Sequence, residues 1–238
     1  MELILDQMEK AFGDKQVLKG AGYTFEKGKI YGLLGRNGAG KTTLFNCLSR
    51  ELSMDAGQVR LRSGDTVREL REEDVGYVYS LPILPDFLTG YEFIKFYMDI
   101  NRDKLQADDS IDGYFELIGF SEEDRHLLIK GYSHGMKNKI QMLLFLIMKP
   151  PVILLDEPLT SFDVIVALEM KKLLREMKQD HILIFSTHIL QLATDLCDEL
   201  VILNNGSLSA VPPGLMHSPE FESSIIQLLR EESDAAHS

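Results

Sequence analysis

The chain has 238 residues, 45% of them apolar and 26% charged, and a formal net charge of −12. This is the composition of a soluble globular protein with one large domain or two small ones. The acidity argues against nucleic acid as a partner, because a phosphate backbone demands a basic surface, and no apolar run approaches the roughly 18 residues of a membrane span.

The opening segment, "MELILDQMEK", lacks a basic stretch followed by an apolar core, so it does not read as a signal peptide. Cys47 and Cys197 lie far apart and form no metal pattern. Two free thiols suit a reducing cytoplasm, the expected location.

Residues 2 to 34 read as strands, with turns at "GDK" and "EKGK" and a buried apolar run from Ile30 to Leu34. "KTTLFNCLSRE" reads as a helix, "DAGQVRLRSG" as a turn and strand, and "DVGYVYS" as another short strand. From Leu81 the texture becomes helical. Thr89 and Glu92 form a capping box ahead of "GYEFIKFYMDI", and helical patterns run on through "IDGYFELIGF" and "EEDRHLLI". The next helix opens oddly, as "KGYSHGMKNKI", with Gly131 and Gly135 around Ser133 and His134. Ser133 is a good N-cap, the helix is apolar from Met142 to Met148, and Pro150-Pro151 stops it. Glycines near a helix start cost stability, so close approach of backbone to a phosphate is one explanation for them. After Pro151, strand and helix alternate, and a hairpin around Asn205-Gly206 follows. Such alternation implies a mainly parallel sheet with helices on both faces. The end, "EESDAAHS", reads as a polar, frayed tail.

"GRNGAGKTT" spans Gly35, Arg36, Asn37, Gly38, Ala39, Gly40, Lys41, Thr42 and Thr43. It fits the phosphate-loop pattern and sits between a predicted strand and a predicted helix. Glycines let backbone N–H groups wrap a phosphate, Lys41 reaches the outer phosphates, and Thr42 offers a hydroxyl to Mg²⁺. "VILLDEP" ends a strand in Asp156, placed to hold Mg²⁺ through water, and Glu157, placed to polarise an attacking water. His188 follows the strand "HILIFST" at the sheet end where ligands bind, and suits a γ-phosphate sensor.

These motifs in this order resemble the nucleotide-binding subunits of ATP-binding cassette (ABC) transporters, over nearly the whole chain. The resemblance implies an α/β P-loop NTPase fold with a mainly parallel core, an N-terminal antiparallel β subdomain and an inserted helical subdomain. It places the core and β subdomain at about 1–80 and 151–215, the helical subdomain at about 81–150, and a C-terminal tail at about 216–238. Phe12 matches the aromatic that stacks on adenine. "YSHGMKNK" stands where the family signature stands, with Ser133 and Gly135 kept. In the usual LSGGQ, His134 would be the first Gly and Met136 the Gln; this form resembles exporter-type cassettes of bacteria. In "EPLTSFD", Asp163 ends the loop after the catalytic Glu157, and His188 matches the switch histidine.

The family's Mg²⁺-touching Gln, which links the site to the membrane partner, is Ser80 here. That departure bears on ATPase rate and coupling. The resemblance implies ATP and Mg²⁺ as ligands, a second ATPase subunit in a head-to-tail dimer, an integral-membrane permease as partner, and a place on the cytoplasmic side of the membrane. Glu157, His188 and Lys41 are then the catalytic group, and Thr42, Asp156 and Ser80 the Mg²⁺ ligands. Two alternatives stay open: a regulatory cassette without a permease, and a low-turnover subunit of an asymmetric pair.

Overall fold

A computed structural model describes residues 1–158, 164–216 and 218–234. Strands β1 (Glu2–Phe12) and β2 (Lys15–Glu26) pair antiparallel, and β3 (Ile30–Leu34) leads into helix α1 (Lys41–Leu48). A hairpin of β4 (Ala56–Ser63) and β5 (Thr66–Glu69) follows, then the short β6 (Val75–Val78). Four helices come next: α2 (Gly90–Ile100), α3 (Ile111–Leu117), α4 (Glu122–Arg125) and α5 (His134–Met148). The chain then runs through β7 (Val152–Asp156), α6 (Val164–Met177), β8 (Ile182–Ser186), α7 (Leu190–Leu196), β9 (Glu199–Asn204), β10 (Ser207–Ala210) and α8 (Phe221–Asp234).

The strands form two sheets. One has six strands in the order β10-β9-β3-β8-β7-β6, parallel except for β10; the other has four, β2-β1-β4-β5, all antiparallel. Every residue of β3, β7 and β8 is buried, which is why "IYGLL", "VILLD" and "ILIFS" read as nearly unbroken apolar runs rather than alternating ones. These three strands are neighbours, so their carboxyl ends deliver the phosphate loop, Asp156-Glu157 and Ser186-Thr187-His188 to one edge of the sheet. A parallel sheet offers its ligand crevice at that edge.

From Met142 to Met148, helix α5 is apolar all round because it is covered on both sides. Its Ile140, Leu143, Phe145 and Ile147 share one core with Ile153, Leu155 and Phe185 of the sheet and with Ile94 and Phe115 of α2 and α3. The capping box that starts α2 is complete. Thr89 Oγ1 accepts from the Glu92 N–H at 3.1 Å, and Glu92 accepts from the Thr89 N–H at 2.9 Å. A second core joins the antiparallel sheet (Leu3, Leu5, Phe25, Val59) to Leu44 and Phe45 of α1.

Three features depart from the sequence reading. "EEDRHLLI" is helical only over Glu122–Arg125, because the chain then turns to pair Leu128 with Thr89. The hairpin strand β5 was not anticipated. The C-terminal stretch carries α8, which runs to Asp234 and seats Phe221 and Ile225 against Leu34, Leu200 and Ile202. Among the described residues no helix is long and apolar enough to cross a membrane.

Candidate active site

Strand β3 stops at Leu34, and the loop 35–40 turns back on itself through an Ala39 N–H to Arg36 carbonyl bond of 3.0 Å. Gly40, the N-cap of α1, has φ +105°, a conformation L side chains avoid. A Cβ there would also lie 2.7 Å from Val17 Cγ1. No side chain caps α1, so its first N–H groups remain available to an anion. They open onto a cavity of about 440 Å³. Lys41 is buried beside it and donates to the carbonyls of Gly35 at 2.8 Å and Arg36 at 3.4 Å. Burial pulls its ammonium below the usual lysine range, and the negative charges of Glu157 and Asp156 offset part of that.

The opposite wall is a set of interlocked oxygens. Thr42 Oγ1 donates to Asp156 Oδ2 at 3.1 Å, and Ser186 Oγ donates to Asp156 Oδ1 in a short bond. The Glu157 N–H donates to both the carbonyl and the hydroxyl of Ser186, each at 3.2 Å. Glu157 Oε1 lies 2.9 Å from His188 Nδ1. A carboxylate only accepts, so that nitrogen carries the proton. Tyr77 is close by; burial first, then the negative charge of Asp156, pushes its phenol well above the usual range.

Of the residues expected to bind nucleotide, Phe12, Asn37, Gly38, Gly40, Lys41, Thr42, Thr43, Ser80, Asp156 and Glu157 line this one cavity. Arg36 and Ala39 line an adjoining cleft with Lys19 and Asn205. Gly35 contributes the carbonyl that holds Lys41, and His188 joins through Glu157. The Phe12 ring is half exposed at the cavity mouth. Its strand is pinned by Asp55, which accepts from the Ala11 N–H at 2.6 Å and from Lys10 at 2.8 Å. Ser133 and Gly135 do not join the cavity; Ser133 Oγ accepts the Met136 N–H at 3.2 Å as the N-cap of α5. Asp163 lies outside the described residues. Lys15 and Val17 line the cavity without having been anticipated, and so does the contact of Ser186 with Asp156.

Thr42, Asp156 and Ser80 offer only oxygen, the donor type a hard dication takes. Among the described residues no three His, Cys, Asp or Glu side chains cluster as a metal cage. One carboxylate and hydroxyls, completed by phosphate oxygens, is the donor set that suits Mg²⁺, and these residues fit it. Size alone does not mark the site: a cavity of about 620 Å³ beside Arg71, Tyr97 and Phe145 has no phosphate loop.

The family model described as "ABC transporter" matches residues 18–160. The uncharacterized ABC transporter ATP-binding protein YxlF of Bacillus subtilis is 31% identical over 87% of this chain and 69% of its own length. The chain belongs to the ABC transporter family. The sulfate/thiosulfate import ATP-binding protein CysA of Methylococcus capsulatus is 30% identical over 89% of this chain and 63% of its own length. Among solved structures, the ATP-binding cassette MJ0796, a post-hydrolysis dimer bound to ADP and phosphate, superposes with a TM-score of 0.73 at 18% identity. It covers 89% of this chain and 98% of that one, and shows the shared fold. The chain is thus an ABC ATPase, an ATP-binding subunit of a transporter with the P-loop NTPase fold.

Proposed function

We propose that this ABC subunit drives a separate membrane permease in the direction of export, as one of two ATPase subunits on the cytoplasmic side of the membrane. The observation that carries the hydrolytic part is the cavity in which Lys41, Thr42, Asp156 and Glu157 face one space, with His188 bonded to Glu157. Glu157 positions and polarises the attacking water, and His188 orients Glu157. Lys41 and the N–H groups of α1 bind phosphate, joined across the dimer by Ser133 of the partner subunit. Thr42, Asp156 and Ser80 would hold Mg²⁺, which when bound neutralises charge on the outer phosphates.

The permease is supported by the loop after Ser80, where Leu81, Ile83 and Phe87 are each more than 70% exposed. Clustered exposed apolar side chains mark an interaction surface. Export is supported by the "YSHGMK" start of α5, the form that resembles exporter cassettes. Ser80 favours one further reading, a low-turnover subunit of an asymmetric pair.

The test starts from detergent-solubilised membranes of the native host, with the chain tagged. A multispanning membrane protein should co-purify, raise ATPase turnover, and be lost with Phe87→Ser and Ile83→Ser. Inside-out vesicles should then accumulate cargo when ATP is added. Purification without any membrane protein would remove the permease reading, and ATP-driven efflux from those vesicles would reverse the direction.

A further inference from the structure

We infer that Ser186 is a positioning residue for ATP hydrolysis, whose one buried hydroxyl sets Asp156 and Glu157 relative to each other. The inference rests on the roles of Asp156 and Glu157 given above. Ser186 ends β8, directly paired in register with Asp156 at the end of β7. It is fully buried behind the apolar run Ile182 to Phe185. A hydroxyl there must be used, because a buried polar group without a partner is costly. It is used twice: it donates to Asp156 Oδ1 and accepts from the Glu157 N–H at 3.2 Å.

Each bond has a consequence. Asp156 has two oxygens, and Oδ2 meets Thr42. Fixing Oδ1 on Ser186 prevents the carboxylate from turning about its last torsion, which is otherwise soft. Oδ2 therefore stays on the side of Thr42, where the metal would sit. Glu157 has φ +50°, a left-handed backbone that a residue with a Cβ holds only under constraint. Its N–H is held by Ser186, and its carboxylate by His188 at 2.9 Å. The two bonds of the Ser186 hydroxyl go to Asp156 and Glu157, and neither goes to the phosphate loop. Binding of ATP and placement of the carboxylates are therefore separable.

Removing the hydroxyl need not unfold this corner, because the Glu157 N–H keeps the Ser186 carbonyl. Ser186→Ala should lower kcat by roughly 10- to 100-fold, the order of loss that follows a misplacement of about 1 Å. ATP affinity measured in EDTA by calorimetry should stay within about threefold, since phosphate contacts are untouched. Binding of Mn²⁺ to the complex with a non-hydrolysable ATP analogue, read by electron paramagnetic resonance, should weaken several-fold. Ser186→Cys, with a weaker donor of similar shape, should fall between.

A merely structural serine would lower the melting temperature and leave kcat of the folded protein unchanged. Turnover of Ser186→Ala within twofold of wild type overturns the inference, and so does equal loss of kcat and of metal-free ATP affinity. If Ser186→Ala does not fold, Ser186→Cys decides: reduced kcat at unchanged ATP affinity supports the inference, and wild-type kcat overturns it. Glu157→Gln separates the two levels. If that variant is inactive while Ser186→Ala is fully active, only the role of Ser186 falls. If it is fully active, the reading of Glu157 falls and this inference with it.

Discussion

Helices α1 and α5 both present an N-terminus proposed to meet phosphate, and they are built in opposite ways. Helix α1 starts at a glycine with no side-chain cap, so its N–H groups stay open toward the cavity. Helix α5 starts at Ser133, whose oxygen already accepts the Met136 N–H, and Lys137 in its first turn is paired with Asp86 at 3.0 Å. The first end is prepared for an anion within a single chain. The second has one of its N–H groups capped by its own Ser133, and neither Ser133 nor Gly135 lines the cavity. In the proposed dimer, a single chain carries half of the catalytic arrangement and a second subunit supplies the other half. The lysine of the odd opening "SHGMK" has its account here as well: Lys137 ties α5 to the loop that follows Ser80 through Asp86.

The comparison breaks first at the chemistry. Glu157→Gln should lose about 10²- to 10⁴-fold in turnover, the usual contribution of a positioned base, while still binding ATP. Because the ATP-bound state no longer decays, a dimer should accumulate on gel filtration with ATP. Turnover equal to wild type would show that the interlocked end of the sheet is not where water is activated. Lys41→Ala tests the open helix end. Charge-assisted bonds to phosphate contribute about 1.5–3 kcal/mol each, so ATP affinity by calorimetry should weaken roughly 10- to 150-fold. Unchanged affinity would mean that the cavity is not the phosphate site.

A change at α5 should behave differently. Ser133→Ala removes a cap, which costs about 1 kcal/mol of stability, and leaves the cavity of its own chain intact. ATP affinity of the monomer should hold, while the ATP-induced dimer seen with Glu157→Gln should disappear when the two changes are combined. If Ser133→Ala weakens monomer binding as Lys41→Ala does, the two ends belong to one site and the contrast fails.

What the sequence made legible follows the range of each interaction. The phosphate loop, the Asp156-Glu157 pair and the Thr89–Glu92 capping box are local patterns, and each needed only a strand or helix beside it to be read. By sequence Ser186 is only one residue of the strand "HILIFST", because its partner Asp156 is 30 residues away and meets it only through sheet register. The Lys137–Asp86 pair spans 51 residues and left no local trace. Lys15 belongs to a turn by sequence and reaches the cavity because the β1–β2 hairpin lies against the phosphate loop. Helix α8 was masked by its polar end, although Phe221 and Ile225 stand four residues apart on the face that docks.

The smallest expected effect is at Ser80, where the contrast between binding and coupling becomes sharp. Ser80 lines the cavity and is followed directly by the exposed apolar loop of Leu81, Ile83 and Phe87, the surface proposed to meet the permease. Its side chain is about two bonds shorter than a glutamine, so its hydroxyl would meet the ion through a bridging water. Such a bridge holds nearly as well as direct contact, and nucleotide affinity should not suffer. The link from phosphate to loop is what weakens, because a bridging water transmits displacement less directly than a ligand on the loop itself. Ser80→Gln should therefore raise turnover, or its stimulation by the permease, by a few-fold while Mg·ATP affinity stays the same. Steady-state ATPase rates with and without the permease, beside calorimetric affinities for both forms, check this. If neither turnover nor stimulation moves, the loop is not limiting and Ser80 serves the site as well as glutamine would.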